Sequence, residues 1–143
     1  MKLERKSIDI NVNLTFKDFK FSDEVLLRGT FKPTKELTKI QYEHFLDILT
    51  YHLISINERK IRFQFRLVMR PDIGEINFDG ECILESPEQN KIEFLMQNTP
   101  QPLRNIVDTY ILKNSYYHAE SFAKKENFPF LPVKELLIKF GIK

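Results

Sequence analysis

The stretch from Lys60 to Glu85 leaves a folding chain few choices. In KIRFQFRLVMR, residues Ile61, Phe63, Phe65, Leu67 and Met69 alternate with Arg62, Gln64, Arg66 and Arg70. In EINFDGECILE, Ile76, Phe78, Cys82 and Leu84 stand on one side, with Glu75, Asn77, Asp79, Glu81 and Glu85 on the other. A period of two over such lengths puts the apolar side chains on one face of a strand. Pro71, Asp72, Ile73 and Gly74 between the runs are turn chemistry, so the pair predicts an antiparallel hairpin. Its second face sets arginines on one strand against carboxylates on the other. That is the pattern of solvated cross-strand ion pairs rather than of an acidic active site.

Around this hairpin the chain reads as strands first and helices last. SIDINVNLTF alternates through Ile8, Ile10, Val12, Leu14 and Phe16, and Phe19 and Phe21 continue after a small shift in phase. EVLLRGTF is a weaker strand closed by Pro33. In TKELTKIQYEHFLDIL, Thr34 can cap a helix presenting Leu37, Ile40, His44, Phe45 and Ile48 at three- and four-residue spacing. The preferred reading is a short helix or irregular arm over residues 34–46, then a strand in LTYHLISI and a polar turn at NERK. NKIEFLM reads as one more short strand.

From Thr99 the period becomes helical, with Pro100 suited to a first turn. Leu103, Ile106, Val107, Tyr110, Ile111, Asn114, Tyr117 and Phe122 fall largely on one side of a long helix running to about Lys125. The prolines of FPFLP cannot continue it, and VKELLIKF predicts a second, short helix. The order implies an α+β fold with helices on one face of an antiparallel sheet, as a single domain over residues 1–143.

Composition narrows function mainly by exclusion. The 22 basic and 20 acidic residues give a net charge of +2 with both signs mixed, so nothing demands nucleic acid. The arginines and phenylalanines of the hairpin also point to opposite faces, whereas an RNA-binding sheet needs them together. A lone cysteine, Cys82, excludes an internal disulfide and fits a reducing compartment. No leader-like segment and no run near the ~20 apolar residues needed to span a bilayer is present, so a cytoplasmic location is expected. His44, His52 and His118 lack metal-site spacing, and the glycines of PDIGEINFDGE serve a turn and a strand rather than a phosphate loop. Neither an enzyme nor a cofactor nor a metal is expected. Function then rests on surfaces such as ENFPFLPVKELLIKF, where Pro129 and Pro132 hold Phe128, Phe130 and Leu131 extended at low entropic cost. Such a ledge can pack inside the monomer, seal an oligomer, or line a groove for extended polypeptide.

The order of features is similar to that of SecB-type export chaperones. The matching positions are Asn98, Pro102, Leu103, Arg104 and Ile106 where NTPQPLRNIVDTYI starts the long helix, and Phe128, Pro129, Leu131, Pro132 and Val133 after it. The hairpin around PDIGEINFDGE also looks like strands of divergent SecB-like proteins, and the likeness spans about residues 48–135. The resemblance implies a four-stranded antiparallel sheet with a long C-terminal helix and a short final helix packed on one face. It further implies a homotetramer, built as a dimer of dimers, that acts as an ATP-independent holdase for unfolded or preprotein polypeptides in protein export. The positions that would meet such clients are Phe63, Phe65, Phe94, Met96, Phe128, Phe130 and Leu131. Two departures stand out. The family docks on its export motor through an acidic sheet face, whereas the face here mixes Arg62, Arg66 and Arg70 with Glu75, Asp79 and Glu81. Residues 21–47 have no counterpart and read as an inserted arm. SecB-like proteins that protect antitoxins are a variant of the same reading. An interaction or scaffold subunit with one fixed protein partner is the rival from another class.

Overall fold

The hairpin expected around Pro71 is the centre of the molecule. The computed structural model describes residues 14–30, 40–86 and 101–142, with 101–103 as backbone only. Its elements are β1 (Thr15–Arg28), β2 (Gln41–Ser55), β3 (Glu58–Arg70), β4 (Gly74–Glu85), α1 (Gln101–Lys125) and α2 (Val133–Lys139). The strands form one antiparallel sheet in the order β1-β4-β3-β2. Both helices contribute to the core on one face of it, as the sequence predicts.

β3 and β4 pair without interruption from Glu58 opposite Glu85 to Met69 opposite Gly74. All nine apolar residues assigned to the inner face of this hairpin are buried. The turn is fastened from β1: Gly29 donates its amide to Ile73 O, and Thr30 donates both its amide and its hydroxyl to Asp72 Oδ2. Those bonds, the hydroxyl's first, hold the Asp72 carboxyl below the ordinary carboxylate range.

The edge strands behave differently, each breaking register twice. In β1 the breaks fall between Lys17 and Lys20 and between Ser22 and Val25, with Asp18 and Asp23 in left-handed conformation. Each break inserts one residue, so Phe16, Phe21 and Leu26, five apart, all turn toward the helices. This explains why the alternation of SIDINVNLTF loses phase at KDFKF. Ile8, Ile10, Val12 and the NKIEFLM strand lie outside the described residues.

Two expectations need correction. Residues 41–46 are strand rather than helix or arm, because Tyr42, His44 and Leu46 pair across to Met69, Leu67 and Phe65 and share their buried face. Of the expected arm over residues 21–47, 21–28 instead complete β1 and 41–47 begin β2, the two edges of the sheet, while 31–39 lie outside the described residues.

α1 crosses the sheet on Val107, Ile111, Ser115, Tyr116, Ala119 and Ala123, all buried. Its buried face is therefore rotated from the expected one. Tyr110 and Tyr117 face solvent, and the small residues Ser115, Ala119 and Ala123 admit the close approach that bulkier ones would deny. The helix ends in a Schellman motif before any proline acts: Phe128 N–H bonds Ala123 O, Asn127 N–H bonds Lys124 O, and Asn127 is left-handed. α2 starts without a cap of its own, and Glu120 of α1 supplies one by accepting the Val133 amide at 3.2 Å.

Candidate functional site

The connection from Glu126 to Pro132 is where sequence reasoning placed the site, and it is mostly folded into the monomer. Phe128 is 7% exposed and lies so close to Gly74 that a Cβ there would stand 2.6 Å from its ring. The Arg28 guanidinium covers the same ring at 5.4 Å and donates to Glu126 O at 2.7 Å. Leu131 is buried, and its amide donates to Tyr42 Oη at 3.0 Å. Phe130 is half-buried, meeting the Tyr42 ring edge-on at 5.6 Å. Replacing Phe128 by serine is expected to cost about 2–3 kcal/mol in a denaturant melt, and Phe130 by serine well under half of that.

Phe63 and Phe65, expected at a client surface, are core instead, at 0% and 1% exposure. The alternation that turns them to the helix face also puts them beneath α1. Phe65 meets Phe78 at 5.1 Å and Tyr116 at 5.6 Å, and Phe63 meets Phe21 at 6.2 Å. Phe94 and Met96 lie outside the described residues.

Exposed apolar surface is concentrated elsewhere, along β2 and its turn into β3. Phe45, Leu49, Leu53, Ile54 and Ile56 all face solvent, Leu53 at 69%. β2 is an edge, so among the described residues one side of its backbone has no sheet partner. Its register breaks fall at Leu49 and Ile54, carrying apolar side chains where β1 carries Asp18 and Asp23. Charged bulges protect an edge from pairing with another chain, whereas apolar ones invite contact. Leu46, Ile48 and Tyr51 line the helix side of the same strand, partly buried. Sequence reasoning missed this rim. The available signal was that FLDILTYHLISI is apolar at odd and even positions alike, more than one face can bury.

The open face of the sheet is a mixture of both charges. Arg66 Nε reaches Glu75 Oε2 at 2.8 Å, Arg70 reaches Glu43 at 2.6 Å, and Lys17 sits 3.0 Å from both Glu58 and Glu85. Hydrogen bonding to Arg66 holds the Glu75 carboxyl below its usual range, and Lys17 does the same for Glu58. A shallow hollow of about 560 Å³ opens here between Phe45, Asp47, Gln64, Arg66 and Asp79, and its lining holds no Ser, Thr, Cys, Lys or His. Burial pushes the Cys82 thiol up to about 12, so it stays protonated and unreactive. Among the described residues no group of His, Cys, Asp and Glu could hold a metal ion, and no helix is long and apolar enough to cross a membrane.

The sequence matches no protein-family model and no curated protein. The fold does have a solved counterpart, the SecB-like chaperone of Mycobacterium tuberculosis in complex with a ChAD peptide from the HigA1 antitoxin. The two align with a TM-score of 0.55 over 82% of this chain and 83% of that one, at 9% sequence identity. The fold is SecB-like. The long helix, the short helix and the four-stranded sheet implied by the resemblance are all present in the expected arrangement.

Proposed function

We propose that this protein is an ATP-independent chaperone of the holdase type that takes up unfolded polypeptide along the free β2 edge. The observation that carries the reading is an edge strand with no sheet partner on its outer side among the described residues, with Leu49, Leu53, Ile54 and Ile56 exposed beside it. An extended client gains main-chain hydrogen bonds from such an edge and apolar contact from its rim. Neither demands a particular client sequence. The SecB-like fold supports the reading, and so does the peptide bound to its mycobacterial counterpart. Because that peptide comes from an antitoxin, guarding an antitoxin is the second reading, in which one client replaces many.

Assembly into the homotetramer belongs to the same proposal. Tyr110 and Tyr117, part-exposed on one flank of α1 beside the half-buried Ile106, offer a face to a second copy, although Tyr110 also packs on Phe16 of β1 at 4.3 Å. The mixed charges of the open sheet face favour work without an export motor docked there.

The test is light scattering from a chemically unfolded, unrelated protein diluted into an equimolar amount of this one without ATP. Suppression of aggregation is expected. Replacing Leu53, Ile54 and Ile56 together by serine should abolish most of it while changing stability by less than about 1 kcal/mol, as for exposed positions generally. No suppression with several clients, from a protein that runs as a monomer, would sink the proposal.

A further inference from the structure

Two side chains on the helix face of β2 each fasten a different element. Tyr42 holds the connection through the Leu131 amide. His44 Nδ1 stands 2.6 Å from Tyr116 Oη on α1, and its ring meets those of Tyr116 and of Phe140, just past α2, edge-on at 5.4 and 5.2 Å. Tyr116 is fully buried, and burial drives its phenol pKa upward, so it keeps its proton. That proton needs an acceptor, and Nδ1 of a neutral His44 provides one, with the imidazole proton on Nε2.

A second proton on His44 turns Nδ1 into a donor. Tyr116 Oη can accept it, but the phenolic hydrogen is then left among the rings of Phe65 and Phe140 without a partner. The groups facing His44 do little to offset this. Glu43 favours the imidazolium but belongs to the other face of β2, where it pairs with Arg70, and Leu67 of β3 and Phe140 carry no charge.

We propose that His44 is a proton-operated latch: in its neutral form it ties β2 to Tyr116 of α1 and packs on Phe140 at the C-terminal end of α2, and protonation loosens both contacts. Loosening them opens the part of the core in which Leu136 and Leu137, now buried, pack with Tyr42 and Tyr116. The latch therefore regulates the chaperone site, and it rests on that reading only for what the uncovered surface then binds. The direction of the effect follows from burial, which holds the His44 pKa below its ordinary 6.5. The unfolded chain takes up the proton first, so the stabilisation is complete above that value. It declines as pH falls from there toward the folded-state pKa, and the loss is complete below it.

The experiment is a titration of the whole protein from pH 8 to pH 5, following the His44 ring by NMR and the fluorescence of an apolar dye. Expected are a His44 midpoint below that of free imidazole and a reversible, severalfold rise in dye fluorescence over the same range. His44→Phe should abolish the rise, with His44→Gln as the substitute should phenylalanine prevent folding, whereas His52→Gln and His118→Gln should keep it. Tyr116→Phe removes the stranded hydrogen and should move the midpoint to higher pH. A rise unchanged in both His44 variants, or a His44 midpoint at or above the free value, overturns the latch. A His44-dependent rise in a protein that suppresses no aggregation at any pH upholds the latch and sinks the chaperone reading.

Discussion

Replacing Phe65 by alanine should lower the free energy of unfolding by about 4 kcal/mol and the melting temperature by on the order of 10 °C. Phe65 is in β3, a central strand, and its ring fills the space between the sheet and α1, against Phe78 and Tyr116. Neither neighbour is free to collapse into the vacancy. Tyr116 is tied to His44 through its hydroxyl, and Phe78 is held edge-on by Phe21 at 5.3 Å and by His118 at 4.9 Å. A cavity that cannot close carries the upper part of the range for a lost aromatic ring. Leucine, which restores most of the volume, should cost about 1–1.5 kcal/mol. Urea melts of the two variants decide the matter. If Phe65→Ala melted like the wild type and lost only client binding, the ring would be a client contact after all and its place in the core would be wrong.

What could be read in the sequence, and what could not, follows the sheet from its centre outward. The β3–β4 hairpin was legible to the residue because both strands have partners on each side and an unbroken register. The edge strands were legible only in part. A bulge flips the parity of every later side chain, and nothing in KDFKF or FLDILTYHLISI marks which residue will be the extra one. Hence the sequence divides β2 into an arm and a strand and hides its exposed rim. The long helix is legible from its period, but its large apolar residues suggest a face of which α1 fully buries only Val107 and Ile111. Alanines and a serine define that contact through their smallness. In FPFLP the prolines fix an extended chain without fixing which side faces inward. The direction is set by Tyr42, 89 residues from Leu131, and by Gly74, neither of which local pattern can connect to it.

Glycine at position 80 is the other place where one substitution should be decisive. Gly80 is paired with Phe63 on β3 and with Phe21 on β1, and contributes no side chain of its own to the buried face between them. The Phe63 ring occupies that space: a Cβ on Gly80 would overlap ring atom Cζ and stand 2.5 Å from Cε1. Gly80→Val must therefore expel a fully buried ring, at an expected cost of about 3 kcal/mol or more, against a gain in strand propensity of at most ~1 kcal/mol. Phe63→Ala should cost about 4 kcal/mol by leaving the same space empty. If the two residues share one volume, valine fills what alanine vacates, and the double variant should be roughly 2 kcal/mol more stable than the summed single costs. Simple additivity in the melts would show that the glycine serves some other purpose and that Phe63 has room to move. A coupling of the expected sign fixes Phe63 in the core. Any loss of client binding in Phe63→Ala must then track its loss of stability, whereas losses at Leu53, Ile54 and Ile56 must not.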